Sequence, residues 1–137
     1  MAVLLDTSAI LAAADTDDLN HRAAAAWFRR VDEPLLVSAL TLAEVDHVLQ
    51  RELGPTASMA FIESVVNGAI GLVAPTTEDV ARAAQLMAEA AEHGPRLTEA
   101  TLVASAERLG VRRIATFDRR AIAVFRPRHV RVFDLEP

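Results

Sequence analysis

The chain contains no cysteine, no lysine and no tyrosine, and only one tryptophan. The missing cysteine excludes disulfides, zinc thiolates and a thiol nucleophile. It also suits a reducing, cytoplasmic setting. The missing lysine excludes a Walker-type phosphate loop, and no G-x-x-x-x-G-K-[ST] stretch is present. No uncharged apolar run reaches the ~18 residues that a membrane span needs. The apolar opening from Met1 to Ala14 lacks a basic flank and is interrupted by Asp6, so no signal peptide is expected.

What is present describes one domain over residues 1–137, with 52% hydrophobic residues to fill a core. All 14 basic residues are arginine, against 19 acids, for a net charge of −5. That balance argues mildly against a nucleic-acid partner. Its distribution softens the argument. Residues 1–93 carry net −9, whereas residues 94–137 carry net +4.

Short apolar runs alternate with helical periodicity. Strands are expected at Val3–Leu5, Leu35–Val37, Ile70–Val73, Arg113–Thr116 and Val130–Phe133. Helices are expected at Thr7–Ala14, Leu19–Arg30, from Ser38 to Leu53, at Thr56–Val66, from Thr77 to Glu92, at Leu97–Leu109 and briefly after Asp118. Alternation of this kind implies an α/β fold with a mostly parallel five-stranded sheet, flanked by helices on both faces. Sites in such folds form outside the carboxyl ends of the strands.

Four acids fall at or near strand-to-helix junctions: Asp6, Glu44, Glu99 and Asp118. Each also suits a helix N-terminus. Asp6 and Asp118 read as caps, Thr41 with Glu44 as a capping box, and Glu99 as a partner of the helix dipole. Glu44 is placed in the first turn of its helix, about 145° from the apolar stripe of Leu42, Val45, Leu49 and Leu53 at ~100° per residue. Brought together, such carboxylates repel one another and raise one another's pKa. An oxygen-seeking divalent cation, Mg²⁺ or Mn²⁺, relieves this. The matching chemistry is hydrolysis of a phosphodiester bond. The four histidines show no ligand spacing and read as structural.

The motifs resemble those of the PIN-domain (PilT N-terminal) family. The resemblance lies in Val3 to Leu11, Ser38 to Val45, Leu97 to Gly110 and Ile114 to Arg119, in that order. It covers essentially the whole chain. In size the chain is similar to the stand-alone bacterial members, the VapC-type toxins of type II toxin–antitoxin pairs. The resemblance implies a single PIN-like domain and a Mg²⁺- or Mn²⁺-dependent endoribonuclease acting on structured RNA such as tRNA or rRNA. It further implies a homodimer silenced by a cognate VapB-type antitoxin. Asp6, Glu44, Glu99 and Asp118 are the implied metal and catalytic positions, and Thr116 is the hydroxyl that supports them. Glu99 departs from the family's usual aspartate by one methylene. Arg96 and Arg119 are the expected phosphate contacts, with ion pairing to the neighbouring acids as the other use of both.

Two other readings compete. A phospho-accepting receiver domain would resemble its relatives in having a lysine beside the acidic pocket, and this chain has none. A PIN-like domain without activity, serving as an RNA- or protein-binding module, is the alternative that the Glu99 departure leaves open.

Overall fold

The computed structural model describes residues 1–137. The strands are β1 (Val3–Leu5), β2 (Leu35–Ser38), β3 (Ile70–Val73), β4 (Arg113–Ala115) and β5 (Asp134–Glu136). The helices are α1 (Thr7–Ala14), α2 (His21–Arg30), α3 (Ala39–Leu53), α4 (Pro55–Val66), α5 (Thr77–Glu89), α6 (Leu97–Leu109) and α7 (Arg119–Ala123). A short 3-10 turn, Ala91–His93, follows α5. No helix is long and apolar enough to cross a membrane.

The five strands lie in the order β3-β2-β1-β4-β5, and every neighbouring pair runs parallel. β1 is central and wholly buried, as a strand covered on both faces must be. Its pleat divides the core. Leu4 points into one apolar cluster with Ala83 and Leu86 of α5, Leu102 and Val103 of α6, and Ile122 of α7. Val3 and Leu5 point into the other, with Ile10, Trp27, Val45 and Leu49 from α1, α2 and α3. A strand with period-2 side chains thus anchors both helical layers. Truncating Leu4 to alanine would cost about 2–5 kcal/mol.

The chain builds the β1, β2, β3 half first. It then crosses back through α5 and α6 to lay β4 on the other side of β1. The order therefore reverses between β1 and β4, and the crevice of an open α/β sheet opens at such a reversal. α6 runs through the middle of its layer, with every residue from Glu99 to Ala106 buried. Its small residues (Ala100, Thr101, Ala104, Ser105, Ala106) let it pack closely, and its N-terminus delivers Glu99 to the same crevice. That answers how an acid with no preceding strand reaches the edge.

Three local expectations change. The fifth strand is Asp134–Glu136, not Val130–Phe133. Phe133 is drawn into the core and Val132 is exposed, so those residues serve as the approach rather than the strand. The ladder instead pairs Arg113 with Asp134 and Ala115 with Glu136. A polar strand is stable there because it is an edge. Arg113 holds Glu136, and Trp27 Nε1 donates to Glu136 Oε1 at 3.0 Å. The helix expected to run to Glu92 ends at Glu89, tightens into the 3-10 turn, and stops at Gly94, whose φ of 60° only glycine adopts freely. Finally, the cap of α3 is Ser38, whose Oγ accepts from the Leu40 N–H. Thr41 is therefore inside the helix and buried, and Glu44 lies in the second turn, not the first. The reciprocal capping box of the chain is Thr76 with Asp79, at the start of α5.

Candidate active site

Asp6 follows β1 directly and takes the extended backbone of an N-cap, yet its side chain makes no capping bond. Its Oδ2 accepts instead from Thr116 Oγ1 at 2.7 Å and from Ser8 Oγ at 3.0 Å. Thr116 comes from the end of β4, the neighbouring strand across the reversal. The two hydroxyls are themselves held. Thr116 Oγ1 accepts the Asp118 N–H at 2.9 Å, and Ser8 Oγ accepts the Phe117 N–H at 2.9 Å. The β4 exit and the α1 entry are stitched together around one carboxylate oxygen. The other oxygen, Asp6 Oδ1, is buried and has no partner.

Glu99, in the first turn of α6, is 8% exposed, and its Oε2 is likewise buried without a partner. Groups of this kind are rare, because an unpaired buried acceptor costs about 1–3 kcal/mol. Burial pushes the Asp6 carboxyl above its ordinary value; the bonds from Thr116 and Ser8 oppose this, and the charge of Asp118 adds to it. Burial also raises Glu99, opposed by its own backbone N–H and by Arg96, and reinforced by the charges of Asp6 and Glu44. Asp118 thus reaches Asp6 electrostatically, and Asp6 and Glu44 both reach Glu99.

Glu44 and Asp118 are partly satisfied by protein. Glu44 Oε2 accepts from the Arg96 guanidinium at 3.1 Å. Asp118 Oδ1 accepts the Ala121 N–H at 3.3 Å, so its capping role holds. A cavity of about 600 Å³ opens beside them, lined by His93, Arg96, Glu99, Asp118 and Arg120. No set of three carboxylate or imidazole groups is drawn together closely enough to cage an ion. The donor set nevertheless fits a hard divalent cation. Asp6 Oδ1 and Glu99 Oε2 are both carboxylate oxygens, both are held in a poorly solvated place, and no thiolate is available.

The arginines divide differently from the sequence expectation. Arg96 pairs with Glu44 rather than bonding Glu99. The Arg119 guanidinium donates to the Pro137 carbonyl at 2.8 Å and does not line the cavity. Arg120 does. Sequence reasoning also passed over Ser8, although a hydroxyl two residues beyond a strand-end acid sits in the first helical turn and can reach back. Of the histidines, His21 and His129 bind the backbone carbonyls of Ala12 and Val111, as structural residues do.

A parallel α/β sheet with an acid-lined cleft at its order reversal is the class of fold that these elements define. The model of the PIN domain matches residues 3–126. The chain belongs to the PIN domain family. It is similar to Ribonuclease VapC26 of Mycobacterium tuberculosis, at 28% identity over 91% of this chain and 93% of that one. Its fold matches the crystal structure of M. tuberculosis VapC20, a sarcin–ricin loop cleaving toxin, with TM-score 0.83 and 21% identity over 94% of this chain and 98% of that one. It also matches VapBC2 from Rickettsia felis bound to a promoter DNA fragment, with TM-score 0.69 and 12% identity over 99% and 98% of the two chains.

Proposed function

We propose that the chain is a divalent-metal-dependent endoribonuclease toxin of a type II toxin–antitoxin pair, hydrolysing phosphodiester bonds in structured RNA. The observation that carries this is the pair of buried, unpartnered carboxylate oxygens, Asp6 Oδ1 and Glu99 Oε2, at the reversal of the sheet. Asp6, Glu44, Glu99 and Asp118 are the residues that would hold Mg²⁺ or Mn²⁺. A bound divalent cation would supply Lewis acidity, polarising the scissile phosphate and lowering the pKa of water.

The chain's own residues do the rest. Thr116 and Ser8 fix Asp6 in one orientation and keep it from rotating to cap α1. Arg96 and Arg120 bring positive charge to the cavity wall, where they can fork onto phosphate oxygens. The N-terminus of α6 adds its dipole in the same place. No serine–histidine or other side-chain nucleophile is needed.

The relatives support the partners. The likeness to a named ribonuclease favours RNA as substrate, and tRNA or rRNA are the first substrates to test. The likeness to VapBC2 supports a cognate VapB-type antitoxin. An apolar hollow of about 270 Å³, lined by Ile10, Phe28 and Phe61 among others, supports contact with a partner chain such as the antitoxin or a second copy in a homodimer.

The test is cleavage of tRNA and rRNA by the purified chain with Mg²⁺ or Mn²⁺. Cleavage is expected, and Asp6→Ala is expected to abolish it. If neither ion supports cleavage and Asp6→Ala changes nothing, the nuclease reading is refuted and a binding module takes its place.

A further inference from the structure

Arg96 occupies an unusual position for a residue that is to meet substrate. It is the N-cap residue of α6, set immediately after the Gly94–Pro95 break, with an extended backbone and no side-chain cap. From there it crosses to α3 and donates to Glu44 Oε2 at 3.1 Å. It is the one cation in ion-pair contact with any of the four acids. Its charge also opposes the upward shift of Glu99. The two partners differ in freedom, since the Arg96 side chain is 65% exposed and that of Glu44 only 19%. Glu44 is held by its helix. Arg96 can leave.

We infer that Arg96 is an internal counter-ion for Glu44 that competes with the divalent cation, and that cation binding frees its guanidinium for substrate phosphate. This rests on the reading of the acids as a metal site. The physical case is direct. A divalent cation beside Glu44 repels the guanidinium and competes with it for the charge of the same carboxylate. An exposed pair is weak enough to be displaced by a divalent charge. A freed guanidinium at the cavity wall is a planar, permanently charged fork of the shape phosphate accepts. One residue would thereby stabilise the cluster before loading and bind the substrate backbone after it. Arg120 serves as the contrast: it lines the same cavity but makes no ion pair with the acids.

The test is titration of Mn²⁺ alone, without RNA, into wild type, Arg96→Gln, Arg96→Lys and Arg120→Gln, followed by calorimetry or by electron paramagnetic resonance of free Mn²⁺. Arg96→Gln is expected to bind Mn²⁺ about three- to fivefold more tightly than wild type, the scale an exposed ion pair sets. Arg120→Gln should move it less, and Arg96→Lys should fall between. At saturating Mn²⁺, Arg96→Gln is expected to raise the KM for RNA with a smaller effect on kcat. Unchanged or weaker Mn²⁺ binding by Arg96→Gln, with wild type binding normally, overturns the inference and leaves the metal site standing. Absence of Mn²⁺ binding in both wild type and Arg96→Gln refutes the metal site itself.

Discussion

Asp6→Asn should make the metal-free protein more stable, and should remove the extra stability that a divalent cation confers. Asp6 is 2% exposed, carries an unpaired oxygen and feels the charge of Asp118. Asparagine keeps an oxygen to accept from Thr116 and Ser8 and removes the charge. Relief of an uncompensated buried acceptor is worth about 1–3 kcal/mol, and the new unpaired N–H takes part of it back. A net gain of ~1 kcal/mol raises Tm by about 3–5 °C for a chain of this size.

Adding Mn²⁺ at 100 times its Kd stabilises a binding-competent protein by ~2.7 kcal/mol, so wild type should then overtake the variant. The pH dependence carries the same sign. Burial raises the folded-state pKa of Asp6, so its ionisation works against the fold. Stability is shed as pH climbs from the unfolded value, ~3.9, through the raised folded value. The advantage of Asp6→Asn should therefore close as pH falls below that window. Scanning calorimetry with chelator, with Mn²⁺ and across pH measures all three. An asparagine variant that melts below wild type in chelator, or that gains as much from Mn²⁺, would refute the reasoning.

Glu99→Asp should retain or raise Mn²⁺-dependent RNA cleavage, whereas Glu99→Gln should lose it; equal behaviour of the two would remove Glu99 from the site. Thr116→Val should lower cleavage and raise the Asp6 carboxyl further by deleting the 2.7 Å bond, which a carboxyl-detected pH titration would read. On the opposite side of α6, buried Asp79 receives Arg108, Ser105 and the Thr76 N–H. Burial would raise it, but those partners hold it below its ordinary value, so its contribution is present above the unfolded pKa and lost as pH falls. Arg108→Met should therefore destabilise by about 2 kcal/mol at pH 7, the scale of hydrogen bonds to a charged group with a half-exposed donor, and by less at pH 3, in denaturant melts.

Much of the architecture could be read along the chain because it depends on near neighbours. Val3–Leu5, Ile70–Val73 and the Leu97–Leu109 helix closed by Gly110 fall at the expected residues, since a buried strand needs an apolar run and a helix end needs its glycine. The alternation of elements implies a parallel sheet, and the sheet is parallel throughout. Asp6 and Asp118 stand beside strand ends for the same local reason.

Other features depend on residues that meet from far apart. The bond from Thr116 to Asp6 joins positions 110 apart, and the pair Arg96–Glu44 joins positions 52 apart. Neither separation leaves a periodic trace. The fifth strand moved to Asp134–Glu136 because Arg113 and Trp27 select Glu136, a preference invisible in an apolar count. Whether Arg119 or Arg120 faces the cavity turns on the rotation of a single short helix. Local patterning thus placed the acids at the edge of the sheet. Which Asp6 oxygen stays bare was settled by the reversal between β1 and β4, which brings Thr116 within hydrogen-bond reach, and the guanidinium that reaches Glu44 by the packing of α6 near α3.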